Sequence, residues 1–284
     1  MKDFAGKTAV ITGAASGIGL ALAKLAAARG MNLVLADIDQ AALDKAIPTL
    51  GMDSERVLGM RIDVRHDTEI KALADAAYAR FGAVHVLCNN AGVALGRVTW
   101  ENTKADWEWI LQVNLWSVIY GVSEFLPRMQ AQTGEAHIVN TASAAGLVST
   151  PGMSAYNVSK HGVVTLSETL YQELQLSQQQ NTGAQIGVSV LCPAWVPTGI
   201  GQSERNRPAD VGDTKPLQGL SAKINQRIGK AIASGHLTAD DIASETFKAI
   251  EDNRFWVIPH RNINGAIQTR MEEVLTQSNP TLPQ

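Results

Sequence analysis

Tyr156 and Lys160 stand four residues apart in Ser154-Ala155-Tyr156-Asn157-Val158-Ser159-Lys160, and Ser143 lies thirteen residues upstream of the tyrosine. On a helix this spacing stacks the phenol and the ammonium on one face. A free phenol titrates at about pH 10, so alone it is a poor general base near neutrality. A cation held beside it favours the phenolate and brings its pKa toward working pH. Taken alone, the pair also fits an ordinary amphipathic helix. The elements that would position it decide the reading.

At the N-terminus, Lys7 to Thr12 reads as a short buried strand of apolar and β-branched residues. It runs into Gly13-Ala14-Ala15-Ser16-Gly17-Ile18-Gly19, followed by the alanine- and leucine-rich stretch Leu20 to Arg29, a strong helix former. Strand, glycine turn and helix together form a dinucleotide cradle. Gly13 permits the tight turn, Gly17 lets backbone approach a pyrophosphate, and Gly19 lets the helix lie against the strand. Ser16 and Ile18 complete the turn, and the anion would rest on amides at the helix N-terminus.

The second strand, Asn32 to Ala36, ends in Asp37, twenty-four residues after Gly13. A carboxylate there can accept from the adenosine ribose hydroxyls. It would also repel a 2′-phosphate by about 4 kcal/mol at contact distance. No arginine or lysine occurs among Ala14, Ala15, Ser16, Ala36 and Ile38 to offset that repulsion. NAD(H) is therefore expected over NADP(H). Asp39 reads as a solvated loop carboxylate.

These residues, with Asp63, Asn89-Asn90-Ala91-Gly92 and Asn114, occur in an order that resembles the short-chain dehydrogenase/reductase superfamily, in its branch of roughly 250 residues. The motifs cover residues 7 to about 198. The resemblance implies that Tyr156 exchanges a proton with the alcohol or carbonyl oxygen and that Ser143 donates a hydrogen bond to that oxygen. It implies that Lys160 lowers the tyrosine pKa and binds the nicotinamide ribose, while Asn114 holds a water that relays protons. Asp63 and Val64 would meet the adenine, and Asn90, Ala91 and Gly92 the adenosine ribose. Pro193, Val196 and Thr198 would meet the nicotinamide carboxamide. Ala194 stands where the family usually has glycine, which narrows the space beside the nicotinamide.

Composition excludes several classes of function. With 284 residues, 45% hydrophobic and 18% charged, the chain can bury a large core as one domain spanning 1–284. A formal charge of −3 offers no basic patch for nucleic acid. No apolar run reaches membrane-spanning length, and Met1-Lys2-Asp3-Phe4 leads directly into the first strand, leaving no room for a signal peptide. Cys88 and Cys192 fall on strands that would not be neighbours, so a disulfide is not expected and a cytoplasmic location is. The six histidines are scattered, giving no metal site. His161 reads as a packing or interface residue.

Strands are expected near 7–12, 32–37, 56–62, 84–90, 136–142, 186–192 and 255–258. Helices are expected near 17–29, 40–50, 67–81, 103–131, 155–178 and 238–252. This alternation implies an α/β fold: a Rossmann-type doubly wound parallel sheet of about seven strands with helices on both faces. Residues 194–237 read as a substrate lid, with 199–215 mobile and a weak helical period from Lys215 to Ala233. Residues 260–284 read as a C-terminal extension, and Gln178 to Asn181 as a polar loop. Val93, Leu95, Ala145, Leu147 and Trp195 are candidates for an apolar substrate pocket, and no arginine or lysine is placed there to pair an anionic substrate, Arg97 being left open. Trp107, Trp109, Trp116 and Trp256 read as core or subunit contacts.

Three functions fit. The first is an NAD-dependent oxidoreductase interconverting a hydrophobic secondary alcohol, bulky or aromatic ones included, and its ketone. The second is a 3-oxoacyl-[acyl-carrier-protein] reductase, which would want NADPH and a basic patch. The third is a non-catalytic dinucleotide sensor, against which the set Asn114, Ser143, Tyr156 and Lys160 argues. By analogy, a homodimer or homotetramer is expected through the helices near 103–131 and 155–178.

Overall fold

A computed structural model describes residues 1–179, 184–212 and 216–282. Seven strands, β1 (Thr8–Thr12), β2 (Asn32–Asp37), β3 (Val57–Arg61), β4 (Val86–Asn89), β5 (Glu135–Thr141), β6 (Gln185–Leu191) and β7 (Trp256–Val257), pair in the order β3-β2-β1-β4-β5-β6-β7. Every pairing is parallel. The inner strands are apolar on both faces because helices cover both sides. All five residues of β1 are buried, as are all four of β4.

The chain winds outward from β1 to β3 and then returns to β4 on the other side of β1. The register Ile11↔Cys88 beside Ile11↔Leu35 fixes that reversal. A crevice opens at the carboxyl ends of strands where the order reverses, which is where open α/β sheets bind ligands. One apolar cluster fills the space around α1 (Gly17–Ala28) and α8 (Ala239–Glu251), with Leu22, Leu33, Leu35 and Phe247 fully buried. The opposite face packs α3 (Asp67–Phe81), α5 (Ser117–Ala131) and α6 (Ser154–Gln179) around Leu73, Phe125 and Ile138.

Several expected elements differ in detail. The helix expected over 40–50 is α2 (Gln40–Ala46) followed by a 3-10 turn at Ile47–Leu50, where Pro48 has no amide to continue the ladder. Asp39 is not idle in solvent: its carboxylate caps α2 by accepting from the Ala42 amide at 2.9 Å. The long helix expected over 103–131 is three pieces. After α4 (Lys104–Leu111) comes a π-helical turn at Gln112–Trp116, and then α5. Such turns occur frequently at functional sites, and Asn114 sits inside this one.

The stretch 199–212 is built as 3-10 turns, Gly199–Asn206 and Ala209–Val211, with Ser203 buried. Residues 213–215 lie outside the described residues. Helix α7 (Gly219–Ala233) follows. The extension holds a ninth helix, α9 (Asn264–Thr276), with no buried residue. Of the expected polar loop, 178 and 179 fall in α6 and the rest lies outside the described residues. Trp256 is not core: at the edge strand it remains part-exposed, edge-on to Phe255 at 4.9 Å. Trp100 and Trp116 are exposed, whereas Trp109 is buried. Among the described residues, no helix is long and apolar enough to cross a membrane.

Candidate active site

The glycine turn is shaped by its backbone. Gly13 and Gly17 have φ of 64° and 53°, in the left-handed region that L side chains avoid. A Cβ on Gly19 would overlap the Gly13 carbonyl, so α1 and β1 approach this closely only with glycine there. Ser16 occupies the N-cap of α1 with its hydroxyl unused by the helix, and no acidic side chain lies in the first turn. These features suit a diphosphate. From β4, Asn90 braces the turn: its Nδ2 donates to the Thr12 carbonyl at 2.9 Å, and its amide donates to Thr12 Oγ1 at 3.0 Å.

Asp37 ends β2 inside the crevice. Its Oδ2 accepts from the Ala15 amide at 2.9 Å and its Oδ1 from the Asp39 amide at 3.1 Å. Two backbone donors thus fix this carboxylate at the adenosine side of the turn. Asp63 lines the crevice. Its carboxylate is bound by Arg65, whose Nη2 donates to Oδ2 at 2.7 Å and whose Nε lies 3.1 Å from Oδ1. Val64 stays at the crevice wall.

The proton-handling residues meet at the other end. Tyr156 and Lys160 lie one turn apart on α6, both buried, with Nζ 5.7 Å from the phenol ring centroid. The Lys160 ammonium donates to the Thr141 carbonyl at 2.8 Å, a partner that no sequence spacing reveals. Ser143, at the end of β5, accepts from the Ala145 amide at 3.1 Å and donates to the Pro193 carbonyl at 3.3 Å. It also stands near enough to the Tyr156 phenol to favour its ionised form.

Asn114 lies behind this group, not in the cavity wall. Its Oδ1 accepts from the Val93 amide at 2.8 Å, and its Nδ2 donates to the Val93 carbonyl at 2.9 Å and to Ser159 Oγ at 3.1 Å. Gly92 lies close to both groups: a Cβ built there would stand 3.4 Å from Asn114 Oδ1 and 3.6 Å from Lys160 Nζ.

Burial changes the electrostatic expectation. Desolvation pushes the Tyr156 phenol up to about 12, against the opposing hydrogen bond from Ser143. It pushes the Lys160 ammonium down to about 8. Both charged forms are disfavoured for the same reason, since neither has bulk water around it. Burial thus opposes the shift that a neighbouring ammonium favours.

One cavity of about 480 Å³ joins these groups, within the size range of cofactor and small-molecule sites. Gly13, Ser16, Gly17, Ile18, Gly19, Asp37, Asp63, Val64, Asn90, Ala91 and Gly92 line its dinucleotide end. Ser143, Tyr156, Lys160, Pro193, Val196 and Thr198 line it farther along. Of the expected substrate contacts, Val93, Ala145 and Trp195 line it. Leu95 and Leu147 do not, because each turns into an apolar cluster away from the opening. Arg97 is buried beside Asp106, its Nε 3.9 Å from Oδ2.

Sequence reasoning missed several walls. Ile228 and Ile232 of α7 pack with Met153 against Tyr156, and Trp109 lines the cavity from α4. From the extension, Ile263 and Ala266 reach the cavity, and His260 Nδ1 accepts from the Ala194 amide at 3.1 Å. Arg205, a cation the sequence reading did not place, also lines it, with Nη1 donating to the carbonyls of Gly199 and Gln202. The weak helical period before Ala233 was the one available signal for α7. Cys88 and Cys192 are both buried and free, and among the described residues no cluster of His, Cys, Asp and Glu is set to hold a metal ion.

The family model described as short chain dehydrogenase matches residues 7–210. The CLA biosynthesis dehydrogenase/reductase of Lactiplantibacillus plantarum is 38% identical over 282 residues, covering 99% of this chain and 97% of its own. The 1-deoxy-11-beta-hydroxypentalenate dehydrogenase of Streptomyces exfoliatus is 30% identical over 270 residues, covering 94% and 88%. A short chain dehydrogenase/reductase from Burkholderia phymatum, solved in complex with NAD, superposes with a TM-score of 0.93 at 44% identity, covering 100% of this chain and 99% of that one. The chain belongs to the short-chain dehydrogenase family of oxidoreductases.

Proposed function

We propose that this protein is an NAD-dependent oxidoreductase that interconverts a hydrophobic secondary alcohol and its ketone, with Tyr156 as the general acid and base. The observation that carries the proposal is convergence. Ser143, Tyr156 and Lys160 open into the same cavity as the glycine turn and Asp37. Among the remaining walls are the apolar side chains of Val93, Trp109, Met153, Trp195, Ile228 and Ile263, with Arg205, Asn206, Asn225 and Asn262 as polar ones.

When bound, the nicotinamide supplies the hydride acceptor or donor. The chain's own residues do the rest. On oxidation, Tyr156 Oη takes the hydroxyl proton of the substrate while Ser143 Oγ donates a hydrogen bond to the same oxygen. Lys160, held by the Thr141 carbonyl, keeps its charge close to the phenol. The positive charge of oxidised cofactor adds to that field and opposes the burial that otherwise holds the phenol protonated. Asn114 anchors the backbone at Val93 next to Gly92, which fixes the floor beneath the reacting groups.

The preference for NAD rests on Asp37, which is pinned by two backbone amides. Among the described cavity-lining cations, Arg65 is held by carboxylates, Lys160 by the Thr141 carbonyl and Arg205 by the carbonyls of Gly199 and Gln202; Arg61, the strand partner of Asp37, is exposed on β3 and does not line the cavity. The dehydrogenase names of the relatives, one of them for a hydroxyl-bearing substrate, support the reaction class.

The test is Tyr156→Phe. NADH binding should persist while turnover of a panel of secondary alcohols, from small aliphatic to polycyclic, collapses by about 10²-fold or more. Turnover near wild type in the variant overturns the proton role. Activity confined to anionic substrates overturns the hydrophobic substrate class.

A further inference from the structure

We propose that Arg65 and Asp210 form a clasp across the adenine end of the cleft, so that the dinucleotide leaves only when this ion pair breaks. The inference rests on the dinucleotide reading of the site and adds to it a pair of residues that governs cofactor exchange.

Arg65 is gripped from two sides. Asp63 accepts from Nε and Nη2 and from the Arg65 backbone amide, which ties the guanidinium to the connection between β3 and α3. Asp210 takes the outer edge in a second two-pronged contact, with Nη1 to Oδ2 at 3.0 Å and Nη2 to Oδ1 at 3.1 Å. Such fork-to-fork pairs are directional and stronger than single contacts. The two residues are 145 positions apart in the chain, so the pair ties the connection after β3 to the segment that follows β6. Arg65 lines the cavity together with Asp37, Ile38, Ile62 and Val64, and Pro208 lines it from the Asp210 side. The other charged groups at this point are His66, whose Nε2 is 3.7 Å from Asp63, and Glu69, which accepts from the Asp63 amide at 2.6 Å.

The segment carrying Asp210 has unequal anchors. Near its start, Ser203 Oγ accepts from the Ala94 amide at 3.0 Å. In the middle, Arg207 donates to Asp106 at 2.8 Å and lies 4.9 Å over the Trp109 ring. That middle anchor is buried, with side chains 6% and 0% exposed, whereas the Asp210 side chain is 66% exposed. A buried paired charge is costly to separate, and an exposed one is screened and easily released. The Arg207 anchor therefore serves as the hinge, and the Asp210 contact is the part that opens.

The experiment measures NADH release from the full chain by stopped-flow fluorescence, chasing the preloaded enzyme with excess NAD⁺. Asp210→Asn should release NADH about 3- to 10-fold faster than wild type at low salt. Wild-type release should accelerate with ionic strength toward the rate of the variant, whose own rate should respond less. Asp210→Glu should restore slow release, and the single-turnover rate of hydride transfer should not change. Release rate and salt dependence equal to wild type in Asp210→Asn, at an unchanged melting temperature, overturn the clasp and leave the dinucleotide reading intact. Failure of the wild-type protein to bind NADH overturns both.

Discussion

Replacing Asp37 by serine should move the cofactor preference by an amount that follows from its surroundings. The carboxylate is buried to 9% exposure yet faces the cleft, and two backbone amides hold it in place. Full Coulomb repulsion of a 2′-phosphate at contact is about 4 kcal/mol near a protein surface. Water entering the cleft reduces this to roughly 2 kcal/mol. Loss of charged hydrogen bonds to the ribose costs NADH a further 1.5–3 kcal/mol or so. Asp37→Ser should therefore narrow the ratio of NADPH to NADH dissociation constants by about 400- to 5,000-fold, with NADH weakened and NADPH strengthened. Fluorescence titration of both reduced cofactors at one fixed salt concentration reads the ratio directly. A wild-type protein that binds NADPH as tightly as NADH, or a variant with the wild-type ratio, refutes the reasoning.

Two further substitutions probe the frame around the site. Gly19→Ala drives a methyl group into the Gly13 carbonyl; it should cost about 1–3 kcal/mol of stability and weaken NADH binding at least tenfold, and a variant with wild-type NADH affinity would contradict the close approach of α1 and β1. His137 is buried in β5 with Nε2 2.8 Å from Ser189 Oγ, and burial lowers its pKa from 6.5 to about 3. The unfolded chain takes up this proton below about pH 6.5 while the folded chain does not until about pH 3, so stability is lost as pH falls through that window. Between pH 6.5 and pH 5 the loss from this one group is about 2 kcal/mol; urea melts of His137→Gln should lack that increment, and equal acid sensitivity in the two proteins would refute it.

What the sequence made legible was local or periodic. The glycines at 13, 17 and 19 announce backbone requirements that few other residues meet, and they fell where the strand-to-helix turn needs them. The strand spans came within two residues of those observed, because buried parallel strands read as short apolar runs. The rest depended on partners far away in the chain. Nothing near Asp63 shows that Asp210 will help to hold Arg65 beside it. Leu95 and Leu147 have the composition of pocket residues, and only packing decides that they turn inward to the core. The π-helical turn around Asn114 has no residue signature, and α9 has no fully buried residue, so its sequence lacks a sharp apolar stripe. The burial of Tyr156 and Lys160 together, which raises the phenol and lowers the ammonium, depends on packing that their spacing does not reveal.

The central claim, that the bound dinucleotide and Lys160 together make Tyr156 a usable proton carrier, is tested most directly by titrating the phenol itself. The ultraviolet difference between wild type and Tyr156→Phe isolates this tyrosine, with and without saturating NAD⁺. Without cofactor the phenol should titrate at about 12. With NAD⁺ it should fall by about two units or more, and Lys160→Met should abolish most of that fall. An ionisation that stays at its cofactor-free position when NAD⁺ is bound would contradict the account.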